Sequence, residues 1–164
     1  MSAYHLAQLN IGIARGPIDS PIMAEFVAAL DPINRLADHS PGFVWRLQTE
    51  EGNATAVVWP GDENVIVNMS VWESIDSLSN FVYRSAHTDV MRQRRKWFEA
   101  MNLYMVLWWI RRGHIPTVDE AHERLRHLGE HGPTAFAFTF RRPFPAPDAT
   151  RAVTPRSDDR CPGP

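Results

Sequence analysis

The stretch Val65 to Trp72 constrains the chain more than any other. Val65, Val67, Met69 and Val71 alternate with Ile66, Asn68, Ser70 and Trp72, and side chains alternating with period two point to opposite faces of a β-strand. Apolar residues on both faces place this strand at the centre of a sheet. One face also carries Asn68 and Ser70, polar groups that such a position holds away from water.

The elements around it follow from the same patterning. Residues 4–11 read as a first strand, and Gly16-Pro17 followed by Asp19-Ser20-Pro21 supplies a turn and a helix start. Met23, Phe26, Val27, Leu30, Ile33 and Ala37 recur at helical spacing, with Pro32 expected to kink or restart the helix because it donates no backbone N–H. After Pro41-Gly42, residues 43–49 alternate Phe43, Trp45 and Leu47 against Arg46 and Gln48, and residues 54–59 continue as a strand or bulged hairpin beyond Gly52-Asn53. Residues 74–83 form a short helix and residues 87–101 a second one. Residues 104–111, with Trp108 and Trp109, read as a strand buried on both faces. Thr117 caps a helix running to Glu130, with Glu120 placed to complete a capping box, and Gly132-Pro133 stops it. Residues 135–140 are expected to add a terminal strand.

This order gives an α+β fold with an antiparallel sheet, a ferredoxin-like split β-α-β arrangement extended by a C-terminal helix and strand. Helices on one side only would leave the second sheet face bare, so a second copy of the chain is expected as its cover. At 164 residues and 44% hydrophobic content one domain can bury its own core, here residues 1–145. Residues 146–164 read as a flexible tail rich in Pro, Arg and Asp. The lone cysteine, Cys161, lies in that tail, which argues against disulfides, cysteine metal cages and thiol catalysis.

A formal charge of −2 with interspersed signs leaves no basic face for nucleic acid. No run reaches the roughly 18 uninterrupted apolar residues of a membrane span, and no leader pattern opens the sequence, so a soluble, cytoplasmic protein is expected. Phosphate loops, nucleophile elbows and Cys-based metal patterns are missing from the sequence.

Five segments carry a resemblance: Tyr4-His5-Leu6-Ala7-Gln8-Leu9-Asn10, residues 41–48 from Pro41 to Gln48, Asn68-Met69-Ser70-Val71-Trp72-Glu73-Ser74, Phe81-Val82-Tyr83-Arg84-Ser85-Ala86-His87, and Arg94-Arg95-Lys96-Trp97-Phe98. In these, and on to Pro145, the chain resembles a bacterial domain family of unknown function in the dimeric α/β barrel superfamily. Relatives there include cofactor-independent antibiotic-biosynthesis monooxygenases, polyketide cyclases, and haem-dependent aldoxime dehydratases and chlorite dismutases. The resemblance implies the fold and a homodimer, and carries no established catalytic residue.

The candidates for chemistry come from the residues themselves. On a helix over 87–101, His87, Val90, Met91, Arg94, Trp97, Phe98 and Met101 share one face. An arginine in an apolar stripe needs a carboxylate, carbonyls or an anionic ligand, and a histidine beside it suits proton transfer near neutral pH. His87 is the candidate general base and Arg94 the oxyanion partner. Arg46, Asn68 and Ser70 are the candidate polar contacts to a substrate, with Trp45, Trp72, Met91, Trp97 and Trp108 as apolar walls. Gln8 and Asn10 share one face of the first strand and are expected to join the polar set.

The expected partner is therefore an apolar aromatic or polyketide-like small molecule, turned over by a monooxygenase or cyclase without a cofactor. A non-catalytic ligand-binding module is the first alternative. A haem enzyme with His5 or His114 as axial ligand is the second. His127 and His131, one turn apart, are expected in solvent, so no metal site is assigned.

Overall fold

Four strands and four helices form in chain order in the computed structural model, which describes residues 1–50, 52–55, 57–85 and 87–149. They are β1 (Tyr4–Ile13), α1 (Ala24–Asp38), β2 (Phe43–Arg46), β3 (Val65–Trp72), α2 (Ile75–Arg84), α3 (His87–Arg92), β4 (Met105–Arg111) and α4 (Val118–His131). The strands pair antiparallel in the order β2-β3-β1-β4. Two split β-α-β units therefore interleave, which is the ferredoxin-like arrangement expected from the element order.

Strand alternation sorts the core into two layers. Ala7, Leu9 and Ile11 of β1, Val67, Met69 and Val71 of β3 and Val106, Trp108 and Ile110 of β4 form one cluster, closed by Ala121, Leu125 and Leu128 of α4. Leu6, Trp72 and Leu107 point the other way and pack with Ile75, Leu78 and Val82 of α2. Thr117 caps α4 by accepting from the Glu120 amide, and Ser74 caps α2 by accepting from the Ser77 amide.

The first layer corrects an expectation. The second sheet face is covered by the chain's own α4, leaving Ala7, Leu9 and Val106 fully buried within one copy. A partner is not needed to shield it. The capping box also differs: the Glu120 side chain turns inward, where one oxygen accepts from Trp108 Nε1 at 2.9 Å and the other meets His114 Nε2 at 2.7 Å. A buried indole N–H without an acceptor is costly, so it outcompetes the helix terminus for that carboxylate.

Four further elements depart from the sequence reading. The helix expected over 87–101 ends at Arg92, and after a 3-10 turn at Arg94–Lys96 the chain runs beside β1. There the Arg15 amide donates to Trp97 O at 2.8 Å and the Glu99 amide to Ile13 O at 2.9 Å. Those bonds, with Trp97 and Phe98 packed on Met23 and Phe26, satisfy the backbone better than another helical turn. Residues 135–140 make one bridge, Phe138 to Leu107 on the outer edge of β4, because Thr134 turns the chain back onto Ala137. Among the described residues of 54–59, only Trp59 takes part in a bridge, across a Pro60-Gly61 turn to Asp62. α1 runs through Pro32 as one helix.

Asp148 pins the start of the expected tail to the other terminus, accepting from Ser2 Oγ at 2.8 Å and from the Ala3 amide at 2.7 Å. Cys161 and the rest of that tail lie outside the described residues.

Candidate functional site

The polar residues of the sheet collect into one strip. Asn68 lies directly across from Asn10, and Ser70 lies between Gln8 on β1 and Arg46 on β2. Trp72 Nε1 donates to Ser70 Oγ at 2.9 Å, and Ser70 Oγ donates to Gln8 Oε1 at 2.8 Å. An indole N–H can only donate, so Ser70 Oγ accepts from Trp72 and gives its own proton to the glutamine oxygen. The Gln8 nitrogen then lies on the remaining side. Gln8 is 3% exposed and its Nε2 has no hydrogen-bond partner, a situation that costs about 1–3 kcal/mol unless a ligand or water serves it.

Above this strip lies a cleft roofed by α1, α2 and α3. It has three lobes, of about 460, 430 and 380 Å³ counting space open to solvent. Asn34 of α1 and Asn68 of β3 line all three, so the lobes meet between these two amides.

His87 stands at the junction of the two larger lobes. It is 6% exposed, its ring rests 4.8 Å from that of Phe81, and its Nδ1 has no hydrogen-bond partner. Burial lowers its pKa from 6.5 to about 4, against the opposing pull of a hydrogen bond with the Val82 backbone. At neutral pH the ring is uncharged and holds a lone pair. Arg94 lines the same lobe as His87, with its guanidinium 4.4 Å over the Tyr104 ring. Arg46 lines the other two lobes, but its charge is committed: it pairs with Asp38 at 2.8 and 3.3 Å and donates to Gly52 O at 2.7 Å.

Residues 5–154 match the profile of a family described as a domain of unknown function, DUF3291. The chain belongs to this family. No match is found among curated proteins. Among solved structures, this DUF3291 domain is similar to SnoaB, a cofactor-independent oxygenase from Streptomyces nogalater, at 18% identity and TM-score 0.46 over 70% of this chain and 100% of that one. It is also similar to a protein of unknown function from Nitrosomonas europaea, at 10% identity and TM-score 0.44 over 70% and 95% of the two chains.

The DUF3291 cleft gathers most of the residues singled out from the sequence. His87, Met91, Arg94, Trp97 and Asn68 line one lobe, and Arg46, Ser70 and Trp72 line the next. Two tryptophans are elsewhere. A bulge between Phe43 and Trp45 turns Trp45 to the opposite sheet face, and Trp108 is fully buried there against α4. Met101 packs on that face too. His127 is half-buried with its ring 4.7 Å from Phe136 rather than free in solvent. Among the described residues no group of three or more His, Cys, Asp or Glu side chains could hold a metal ion, and no helix is long and apolar enough to cross a membrane. His5 and His114, the haem candidates, line none of the three lobes.

Asn34 was missed in the sequence, yet its signal is present. It stands four residues after Leu30 and three before Ala37, a polar residue inside the apolar stripe of α1.

Proposed function

We propose that the cleft binds an apolar aromatic or polyketide-like molecule and that His87 removes a proton from it, in a monooxygenase or cyclase reaction without a cofactor. The unpartnered Nδ1 of a buried, uncharged histidine at the junction of two lobes carries this reading. A ring whose pKa lies near 4 is a weak base in isolation. Proton transfer creates an imidazolium beside a substrate anion, and that pair stabilises both charges where water is scarce. Arg94, in the same lobe, faces the developing oxyanion.

In the oxygenase form, His87 takes the proton of an activated C–H, and the carbanion reduces O2 to give a hydroperoxide. Loss of water then leaves a new carbonyl, so one O2 is consumed and one water released per substrate. A homodimer belongs to this reading through the family resemblance, not through an uncovered sheet face.

A binding module without chemistry is the second reading, favoured by the depressed basicity of His87. Anthrone separates the two, because its oxidation by air to anthraquinone can be followed with an oxygen electrode. The enzyme reading expects uptake above the uncatalysed rate that falls at least about a hundredfold in His87→Leu. Binding of anthrone with no added uptake would leave the module.

A further inference from the structure

One polar atom of the cleft has no part in that scheme. Gln8 Nε2 is buried in the floor of the lobe lined by Arg46, Ser70 and Trp72 and has no partner, while its own oxygen is held by Ser70 and, through Ser70, by Trp72. With Ser70 donating to the Gln8 oxygen, the amide nitrogen is left on the side of the floor. The floor is therefore set to donate and not to accept at this point.

The charge around it narrows the ligand further. Among the described residues Arg46 is the one cation lining that lobe, and Asp38 neutralises it with two hydrogen bonds. A carboxylate would enter without a free countercharge, whereas a neutral carbonyl oxygen meets one well-placed N–H and apolar walls from Trp72, Leu78 and Phe81. We infer that Gln8 determines specificity in the cleft by donating its side-chain N–H to a ketone or quinone oxygen of the ligand, with Ser70 and Trp72 as positioning residues. This rests on the reading that the cleft takes an apolar small molecule.

Three naphthalene probes test it by quenching of tryptophan fluorescence: 2-acetonaphthone, 2-isopropenylnaphthalene, in which a methylene replaces the carbonyl oxygen, and 2-naphthoate. The ketone is expected to bind about tenfold tighter than the alkene, the gain of one buried hydrogen bond, and tighter than the carboxylate. Gln8→Met should equalise ketone and alkene by weakening the ketone alone. Ser70→Ala should weaken the preference and Ser70→Thr restore it. In the infrared, a 13C-labelled ketone should show a carbonyl band lowered in the wild type and back at its free position in Gln8→Met.

Alkene and ketone binding equally to the wild type would overturn the role of Gln8 while leaving the cleft as a ligand site. A preference or band shift surviving in Gln8→Met would do the same. Binding of neither neutral probe would overturn both readings.

Discussion

At the scale of single residues, the burial of His87 should be visible in stability before any substrate is known. Its pKa is 6.5 when free and about 4 in the fold, so between those values the unfolded chain binds a proton that the folded one refuses. Stability is then unaffected above about pH 6.5 and falls as the pH drops toward 4, by about 3 kcal/mol in all. Arg94, which shares the lobe, stays charged throughout and does not reverse the sign. Urea unfolding at pH 7.5 and 4.0 should show this excess loss in the wild type and not in His87→Leu; equal losses would mean that His87 titrates normally. The polar floor was legible from alternation alone, since Asn68 and Ser70 interrupt one face of β3 and Gln8 does the same on β1. The hydrogen-bond chain from Trp72 through Ser70 to Gln8 was not, because its last link depends on strand register between residues 62 apart in sequence. Nor was the pairing of Arg46 with Asp38, which brings the end of α1 against β2.

At the scale of elements, the reading held where one pattern acted and failed where two competed. β3 and the cap at Thr117 were readable because period and cap chemistry agree. The helix over 87–101 looked continuous by period, yet its second half serves β1 instead, with Phe98 bridging to Ala14. Gly12 makes that contact possible. A Cβ at Gly12 would lie 2.6 Å from Phe98 Cδ1, inside any tolerable separation. Gly12→Ala is therefore expected to destabilise the fold by about 1–3 kcal/mol through overpacking. It should also weaken probe binding, since Phe98 lines the largest lobe. Chemical denaturation and a 2-acetonaphthone titration of the variant check both; wild-type stability would show that Phe98 is free to move aside. The bulge in β2 had no sequence signal, and it alone carries Trp45 out of the cleft and leaves Arg46 in it.

At the scale of the whole molecule, the ferredoxin-like sheet acts as a partition. One face is closed by α4 and is purely apolar among its strand residues from Ala7 to Ile11 and Val65 to Val71. The other keeps amides and hydroxyls beneath α1, α2 and α3, and the cleft forms there. That division was readable in the alternation of Val65 to Trp72. Which helix covered which face was not, since α4 is amphipathic and would suit either a partner or its own sheet. The central claim is that the polar face is the ligand face, and a crystal structure of the protein with anthrone bound tests it most directly. The account predicts anthrone between Asn34 and Asn68, with its reactive carbon facing His87 Nδ1. Anthrone on another surface, with the cleft holding only water, would contradict it.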